Sequence, residues 1–524
     1  GYGVQKKSSV TGAISQVKSE DIQNRSITRA EEALQGKTAG VQLVSTTSQP
    51  GSSPTIRIRG FSSNGTSDPL YVVDGLIVND LSSIDPNNIK SMEVLKDAAS
   101  AAIYGAQAGN GVVLITTKSG SQGTSSISYD FQYSINSLAR RPELLNSQEY
   151  LTQMKEADPT FTDVNIRELI SNGVWDGVSS TDWYDVAFNA SPASRHTVTF
   201  QGANDKGSYF LSLNNLYDNG IIREDRDTYK RLSVMLNADY KIKPWLKVGT
   251  TANYANYTSK AISDGSGGTS YVSMIATVMT LAPYIADTYP ADALPTQMQA
   301  QIANGFTLLQ NANGDYYSCL GTMEQVHPMV AIRMNDKKNT GNSLMGTLYA
   351  NFTPIKDLVF TTRLGYRIAT DNTYTHNNLY YGSASASNKD RNGVTRTSLS
   401  TTYYQWENFV NYNTTLLDTH NISAMLGMSY SQSDQIYVSA GVDKIAKDNL
   451  LYADVDWPAG DAVKSTGGHN YIYRKLSYFG RVGYDYKNRY MAQFAMRADA
   501  ADASVLPPTN RWGYFPSASV GWTI

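Results

Sequence analysis

The sequence predicts an antiparallel membrane β-barrel preceded by an N-terminal α+β domain, and three observations support this prediction. Charged residues make up 17% of the 524 residues, against roughly 25% in an ordinary soluble protein. Tyrosine occurs 36 times. From residue 127 onward, apolar and polar residues alternate in repeated hairpins. Low charge, many tyrosines and short alternating strands are typical of a transmembrane barrel.

The first 120 residues have a mixed pattern that predicts a compact α+β unit. Arg29–Lys37 reads as a helix, with Thr28 as its N-cap and Glu31 as the capping-box partner. Thr55–Arg59 alternates Ile with Arg, which is the pattern of a half-buried strand. The remaining elements predicted here are strands at Leu70–Val73 and Met92–Leu95, a short Ala-rich helix at Lys96–Tyr104 and a central strand at Gly111–Thr117.

From Ile127 the chain repeats one plan, a pair of alternating strands joined by a short turn. Leu232, Val234 and Leu236 alternate with polar residues, Met235 being the exception, and Lys243-Pro244 then turns the chain into the next alternating run. Most strands have close to the roughly 9–11 residues that cross a bilayer at a tilt. The predicted strands are 127–136, 196–203, 207–216, 229–242, 245–257, 342–352, 358–369, 400–412, 419–430, 476–486, 489–498 and 513–523.

The connections between these strands alternate in length. Short turns follow the even-numbered strands, whereas long segments such as 137–195, 258–341 and 431–475 follow odd-numbered ones. Short turns on one side and long loops on the other are the plan of outer-membrane barrels. Tyrosines near strand ends would form a girdle at the lipid headgroups; a soluble sheet with tyrosines capping its core is the alternative. The girdle candidates are Tyr240, Tyr254, Tyr366, Tyr430, Tyr486 and Tyr490.

Composition and motifs argue against several functional classes. The formal net charge of −2 argues against a nucleic-acid partner, which would favour a basic face. The single cysteine, Cys319, excludes a disulfide framework and a cysteine-based zinc site. The sequence lacks the common nucleophile, zinc-protease, phosphate-loop and dinucleotide motifs. The five histidines have no metal-ligand spacing. We therefore expect no enzyme activity, no cofactor and no metal.

One long string carries a family resemblance. The segment Leu34–Gly120, which includes IDPNNIKSMEVLKDAASAAIYGAQAGNGVVLITTKSG, closely resembles the plug domain of the SusC/RagA family of TonB-dependent outer-membrane transporters. The opening GYGVQKKSSVTGAISQV is similar to the segment that follows the TonB box in that family. Arg511–Trp522 is similar to its mid-barrel signature. The resemblance implies a location in the outer membrane of a Gram-negative bacterium of the Bacteroidota type.

The resemblance also implies a domain plan. Residues 1–120 correspond to the plug, and residues 121–524 to the N-terminal part of a barrel, with about 12 of the 22 strands that the family has. The family's TonB box would lie upstream of Gly1, where the family also carries an immunoglobulin-like domain and a signal peptide. We therefore expect the sequence to be a piece of a longer protein. Ala495–Leu506 departs from the family's usual run at that place.

The function implied by the resemblance is active import of an oligomeric nutrient, a glycan in the first place and a peptide as the second possibility. A SusD-like surface lipoprotein would cover the barrel as a lid, TonB would supply the energy, and outer-membrane lipid would surround the strands. Two alternatives stay open from the residues alone. They are a TonB-dependent signal-transducing receptor and a passive adhesin or structural barrel.

Three groups of residues are candidates for binding or contact. The polar loop after Gly60 would form the plug apex and contact substrate through Ser62, Ser63, Asn64 and Asp68, although these are also ordinary turn residues. Arg57, Arg59, Glu93 and Lys96 would join the plug to the barrel. Aromatic residues in the long loops would contact substrate or lid, or pack within the loops. They are Trp175, Trp183, Tyr184, Tyr316, Tyr317, Tyr380, Tyr381 and Trp457.

Overall fold

The computed structural model contains a small N-terminal domain and a large antiparallel sheet. It describes residues 14–523 except 24, 26, 46, 48, 61–66, 98–100, 122, 263–272, 321–324, 447–452 and 503–506. The N-terminal domain, residues 14–117, is called the plug from here on. It packs against one face of the large sheet, and that face is called the inner wall.

The plug is built on a five-stranded sheet that is mostly antiparallel. The order of strands is β1-β6-β7-β4-β5, with β4 and β7 parallel. The predicted central strand therefore does lie at the centre, as β7. A separate hairpin pairs β2 with β3. The strands are β1 Ile14–Lys18, β2 Val41–Val44, β3 Thr55–Ile58, β4 Leu70–Val73, β5 Leu76–Val78, β6 Ile89–Leu95 and β7 Val112–Thr117, and the helix α1 is Ser19–Gln23.

The turn between β4 and β5 shows why the local sequence folds as it does. Asp74 and Gly75 both have positive φ values, 48° and 93°, which is the conformation of the type I′ turn that favours Asp-Gly in two-residue hairpins. A side chain at Gly75 would also collide with Arg363 of the inner wall, because a Cβ there would lie 2.1 Å from its guanidinium. Gly75 thus serves both the turn and the close approach of the plug to the wall.

The predicted helix at Arg29–Lys37 is wrong in type and extent. A short 3-10 helix, Ala30–Leu34, stands in its place, and its N-cap residue Arg29 makes no side-chain cap. Thr28 does not cap it because its hydroxyl donates to Asp218 of the wall at 2.7 Å. Glu31 does not close a capping box because it pairs with Arg29 at 2.7 Å.

Two other expectations in the plug need adjustment. The strand predicted at Thr55–Arg59 ends at Ile58, since Arg59 has a φ of 57° and leaves the extended conformation. In the predicted helix Lys96–Tyr104, the structure describes a 3-10 turn at Ala102–Tyr104. Residues 98–100 lie outside the described residues.

All twelve predicted strands of the large sheet are confirmed. Each strand pairs antiparallel with its neighbours in chain order, and the first and last strands form the two edges of an open sheet. The strands are β8 Gly123–Asn136, β9 Ser191–Ala203, β10 Gly207–Asn219, β11 Thr228–Lys243, β12 Leu246–Lys260, β13 Asn335–Ile355, β14 Leu358–Asn377, β15 Val394–Leu416, β16 His420–Val442, β17 Lys464–Tyr486, β18 Tyr490–Ala501 and β19 Trp512–Trp522.

The alternation of short turns and long loops is confirmed as well. Short turns such as 204–206 and 487–489 lie at one end of the sheet, and the long connections lie at the other. Strands β13 to β17 are longer than predicted, and β15, β16 and β17 each have 23 residues. Their extra length lies on the side of the long loops, so the wall continues beyond the bilayer there.

The outer face of the sheet has the dimensions of a membrane-facing surface. Trp512 and Trp522 point outward at the two ends of β19, 43% and 60% exposed, and stack on Tyr478 and Tyr490. Ten residues of strand span about 33 Å along the chain, which is about 25 Å along the normal at the usual barrel tilt. That value matches the apolar band of an outer-membrane barrel. No helix among the described residues is long and apolar enough to span a membrane.

The long loops form a folded body at the far end of the sheet, called the loop unit. An apolar core joins residues from segments 151–187, 274–332 and 380–386. Asn146 closes a capping box on the longest of its helices, which fits the rule for helix starts. The helices are α2 Ser147–Ala157, α3 Asp163–Ser171, α4 Trp183–Ala187, α5 Met274–Thr280, α6 Thr296–Ala303 and α7 Pro328–Ala331.

Candidate functional site

The contact between plug and inner wall centres on a buried carboxylate. Asp85 of the plug is fully buried and pairs with Arg231 of β11, with 2.7 Å between Oδ2 and Nη2. Arg195 of β9 lies 3.8 Å from the same oxygen. The two arginines are 2% and 4% exposed. Removing one of these groups would leave a buried charge without its partner, at a high cost in free energy. Each group therefore depends on the others.

Further polar side chains of the wall bond the main chain of the plug. Asn253 of β12 donates to the Ser83 carbonyl at 2.8 Å. Gln405 of β15 donates to the Gly75 carbonyl at 3.1 Å. These bonds satisfy carbonyl groups that the plug's own sheet leaves unpaired. Other bonds of this kind are Arg231 to Ser82, Arg195 to Ile27 and Arg497 to Ile103. Asn237 bonds the carbonyl of Lys118, the first residue after the plug.

Strands β15 to β17 add an apolar contact. Phe409, Met425 and Phe479 point inward and are 5%, 5% and 2% exposed. They share one buried cluster with Ile103 and Tyr104 of the plug. Lys475 of β17 lies beside this cluster and donates to Gln107 at 3.1 Å. The plug therefore has both polar and apolar attachments to the wall.

This arrangement is that of a separately folded body held in place by side chains. The plug has its own apolar core, which includes Leu34, Ile56, Met92 and Ile115. Its attachment to β9–β12 includes ion pairs and hydrogen bonds, whose partners water can replace. The plug core also includes Met345 of β13, so it is continuous with the wall at that strand, whereas the bonds to β9–β12 lie outside the core.

The predicted plug apex is only partly described. Ser62, Ser63 and Asn64 lie outside the described residues. Asp68 is exposed, and its carbonyl accepts a hydrogen bond from Asn110 at 3.2 Å. Substrate contact through this loop stays a prediction.

The predicted plug–barrel contacts differ from the observed ones. Glu93 accepts from Gln16 at 3.0 Å, and Lys96 donates to the Ala39 carbonyl at 2.6 Å, so both make these bonds within the plug. For Glu93 the physical reason is that β6 lies between β1 and β7, which places its side chain beside plug neighbours. Lys96 follows β6, and its side chain reaches the main chain of the plug at Ala39. This corrects the prediction for these two residues. For Arg57 on β3 and Arg59 after it, contact with the barrel stays a prediction.

Four of the predicted loop aromatics belong to the core of the loop unit. Trp175, Trp183, Tyr184 and Tyr317 are 9% exposed or less. Trp183 donates to the Ala282 carbonyl at 3.3 Å, and its ring meets that of His327 edge-on at 5.1 Å. These four residues pack within the loops, which corrects their assignment to a ligand surface. The long loops bury them because together they are large enough to form a core of their own.

The other four loop aromatics are more accessible. Tyr316, Tyr380 and Tyr381 are partly buried against the same core. Trp457 is 48% exposed. Contact of these four residues with substrate or lid stays a prediction.

Two ionisable groups of the loops have shifted pKa values because they are buried. Burial lowers the pKa of His327, although Asp287 lies 2.9 Å from its Nε2 and opposes the shift. Burial also raises the pKa of Asp227 to about 7, with the Ile222 amide opposing and Asp218 reinforcing the shift. Among the described residues, no group of three or more His, Cys, Asp or Glu side chains could hold a metal ion.

Comparison with known proteins agrees with this geometry. Residues 6–112 match the family model of the TonB-dependent receptor plug domain. The TonB-dependent receptor P26 of Formosa agariphila and the TonB-dependent receptor SusC of Bacteroides thetaiotaomicron are each 28% identical to the whole chain. The alignment covers 50% of each of them, so the chain spans about half the length of these curated relatives.

Solved structures show the same fold. The RagAB peptide transporter matches with a TM-score of 0.80 at 23% identity, over 97% of this chain and 57% of that one. The ferric citrate transporter FecA matches with a TM-score of 0.55 at 11% identity, over 98% of this chain and 60% of that one.

A plug seated on the inner wall of a barrel-type sheet, together with these matches, is the arrangement found in TonB-dependent receptors of the outer membrane. Within that class the similarities support the SusC/RagA family of TonB-dependent transporters. Its location is therefore the Gram-negative outer membrane.

Proposed function

We propose that the protein imports an oligomeric nutrient across the outer membrane by TonB-dependent active transport. The observation that supports this most directly is the plug, which has its own apolar core and is held on β9–β12 by the Asp85 ion pairs and by hydrogen bonds. Force applied to such a body can open a path along the wall while the sheet stays intact. Catalysis has no part in this proposal.

The cargo we propose is a glycan, with a peptide as the second candidate. The peptide is supported by RagAB, which is described as a peptide transporter. The glycan rests on the resemblance of the plug sequence to the SusC/RagA family. A SusD-like surface lipoprotein would act as the lid over the long loops. TonB would engage a TonB box upstream of Gly1, on the periplasmic side of the plug.

The test is uptake of oligosaccharides and oligopeptides by intact cells, with and without TonB. We expect cargo to accumulate only in cells that carry both the intact protein and TonB. Asp205→Asn, in the exposed turn 204–206, serves as a control that should leave uptake unchanged. Uptake that persists without TonB would favour a passive barrel and overturn the proposal. Induction of gene expression without accumulation of cargo would favour a signalling receptor.

A further inference from the structure

The inner wall continues above the plug on three neighbouring strands. On β15 and β17, Gln405 and Lys475 bond plug residues Gly75 and Gln107. Tyr403, the next inward residue of β15, still packs against the plug core. Beyond it, the strand register places inward side chains in rows that face the lumen. One row is Thr401, Gln435 and Tyr471, and the next is Leu399, Tyr437 and His469.

This part of the wall is poor in charge. The inward positions of 395–403, 433–441 and 465–473 are Thr, Leu, Tyr, Ser, Gln, Gly and one His, and none is Asp, Glu, Lys or Arg. The wall beside it is different. Asp371 of β14 accepts a hydrogen bond from Tyr257 at 2.7 Å, and Arg367 lies 3.7 Å from Asp80 of the plug. The neutral surface is therefore confined to β15–β17 and is not a general property of the wall.

The neutral surface carries aromatic rings that are open to the lumen. Tyr437 and His469 lie directly opposite each other, and their rings stack at 5.1 Å with 27° between their planes. Tyr471 is 45% exposed. It shares its strand face with His469 and Tyr473, each two residues or about 6.8 Å away. Covering an open ring face with another apolar surface lowers the free energy, because both surfaces leave water.

The chemistry of this surface fits one class of occupant. A sugar ring presents an apolar C–H face and a rim of neutral hydroxyl groups. The rings of Tyr437, His469 and Tyr471 match the face, and Ser433, Gln435 and other neutral side chains match the rim. The charged termini of a peptide would lose hydration here without gaining a counter-ion.

We propose that Tyr437, His469 and Tyr471 form a stacking subsite for a neutral oligosaccharide on the inner wall above the plug. The subsite rests on the proposed import function and specifies how the cargo is held on its way to the plug. Its position directly above Gln405 and Lys475 places the cargo in the lumen next to the plug.

The test uses the purified full-length protein and an array with three sets of probes. The sets are neutral oligosaccharides from starch, xylan, mannan and β-glucan, uronate-containing oligosaccharides, and oligopeptides. We expect retention of at least one neutral oligosaccharide. Tyr471→Ala and Tyr437→Ala should each weaken its binding about tenfold, the usual scale for losing one aromatic contact in a binding site. Tyr471→Phe should keep the affinity, because it keeps the ring.

The chain offers a matched control for these variants. Ile472 is next to Tyr471 on β17, is 49% exposed and points to the outer face. Ile472→Ala should leave the affinity unchanged. Tyr471 is exposed, so its replacement removes no core packing. Comparison of Tyr471→Ala with Ile472→Ala therefore tests the subsite even if Tyr437→Ala fails to fold. Binding of only charged oligosaccharides or peptides, or of no neutral oligosaccharide, overturns the subsite. Equal affinity of Tyr471→Ala and Ile472→Ala for the oligosaccharide overturns it too.

Uptake measured in the same strains separates this inference from the proposed function. If uptake requires TonB but Tyr471→Ala cells match Ile472→Ala cells, the subsite is wrong and the import function stands. If uptake does not require TonB, the import function is wrong whatever the array shows.

Discussion

The plug is attached in different ways to two regions of the same sheet. On β9–β12 it is held by the buried ion pairs of Asp85 and by wall amides that bond its main chain. On β15–β17 it also packs on Phe409, Met425 and Phe479, which form an apolar cluster with Ile103 and Tyr104. The first region holds the plug mainly through groups that water can solvate, and the second adds surface that water solvates poorly.

This difference indicates where displacement is least costly. A buried ion pair is only slightly lower in free energy than the same two ions separated and hydrated, because the desolvation penalty offsets most of their attraction. Separating apolar surfaces loses about 25 cal/mol for every Å² exposed. We therefore expect the plug to leave β9–β12 first once water can enter, and to stay longer on β15–β17.

The largest effect is expected from breaking the ion pairs of Asp85. Asp85→Ala leaves Arg195 and Arg231 buried without their carboxylate, which costs about 3–5 kcal/mol. We expect faster hydrogen exchange in residues 76–95 of the plug, measured by mass spectrometry on the purified protein. Asp205→Asn is the control, since Asp205 lies in an exposed turn. Unchanged exchange in Asp85→Ala would show that these ion pairs do not hold the plug.

A smaller effect is expected on the apolar side. Met425→Ala removes a buried side chain from the cluster with Phe409 and Phe479, which costs about 2–3 kcal/mol if these rings relax into the space. Exchange should rise in the plug around Ile103 and stay unchanged in residues 76–95. A rise in both segments would contradict the distinction between the two regions.

The smallest effect is an acid dependence confined to the polar region. Burial raises the pKa of Asp85, but Arg195 and Arg231 lower it more, so the pKa lies below its ordinary value. The stabilisation is therefore complete above the unfolded pKa of about 3.9 and is lost as the pH falls through the folded pKa. The protection of residues 76–95, which is the exchange rate relative to the intrinsic rate at the same pH, should fall in acid in the wild type. This loss of protection should be smaller in Asp85→Asn, and equal losses in both proteins would assign it to another group.

The sequence predicts the twelve strands because alternation is a local signal. Where a lipid-facing side chain follows an inward polar one, as in Leu236 to Ile242, the period of two is plain. The extensions of β13–β17 were missed because both faces turn polar beyond the bilayer. In the upper part of β16, SQSDQ, the contrast between the two faces disappears.

The residues of the candidate site are harder to predict from a local sequence pattern. Arg195 and Arg231 occupy inward strand positions, and this is the signal that could have marked them. Their partner Asp85 is 146 residues from Arg231 in the sequence. A local sequence pattern does not indicate that two residues so far apart in the chain form a pair. In the same way, Trp175 and Trp183 look like surface aromatics until the loops are assembled around them.

A reversible cross-link between plug and wall tests the central claim most directly. Asn87 of the plug donates to Thr197 of β9 at 3.3 Å, so the pair Asn87→Cys and Thr197→Cys, in a background with Cys319→Ser, can be joined by a short cross-linker that contains a reducible disulfide. If the plug must leave this part of the wall, the cross-linked double variant will not take up cargo, and a reducing agent will restore uptake to the level of the single variants. Full uptake with the cross-link intact would contradict the account.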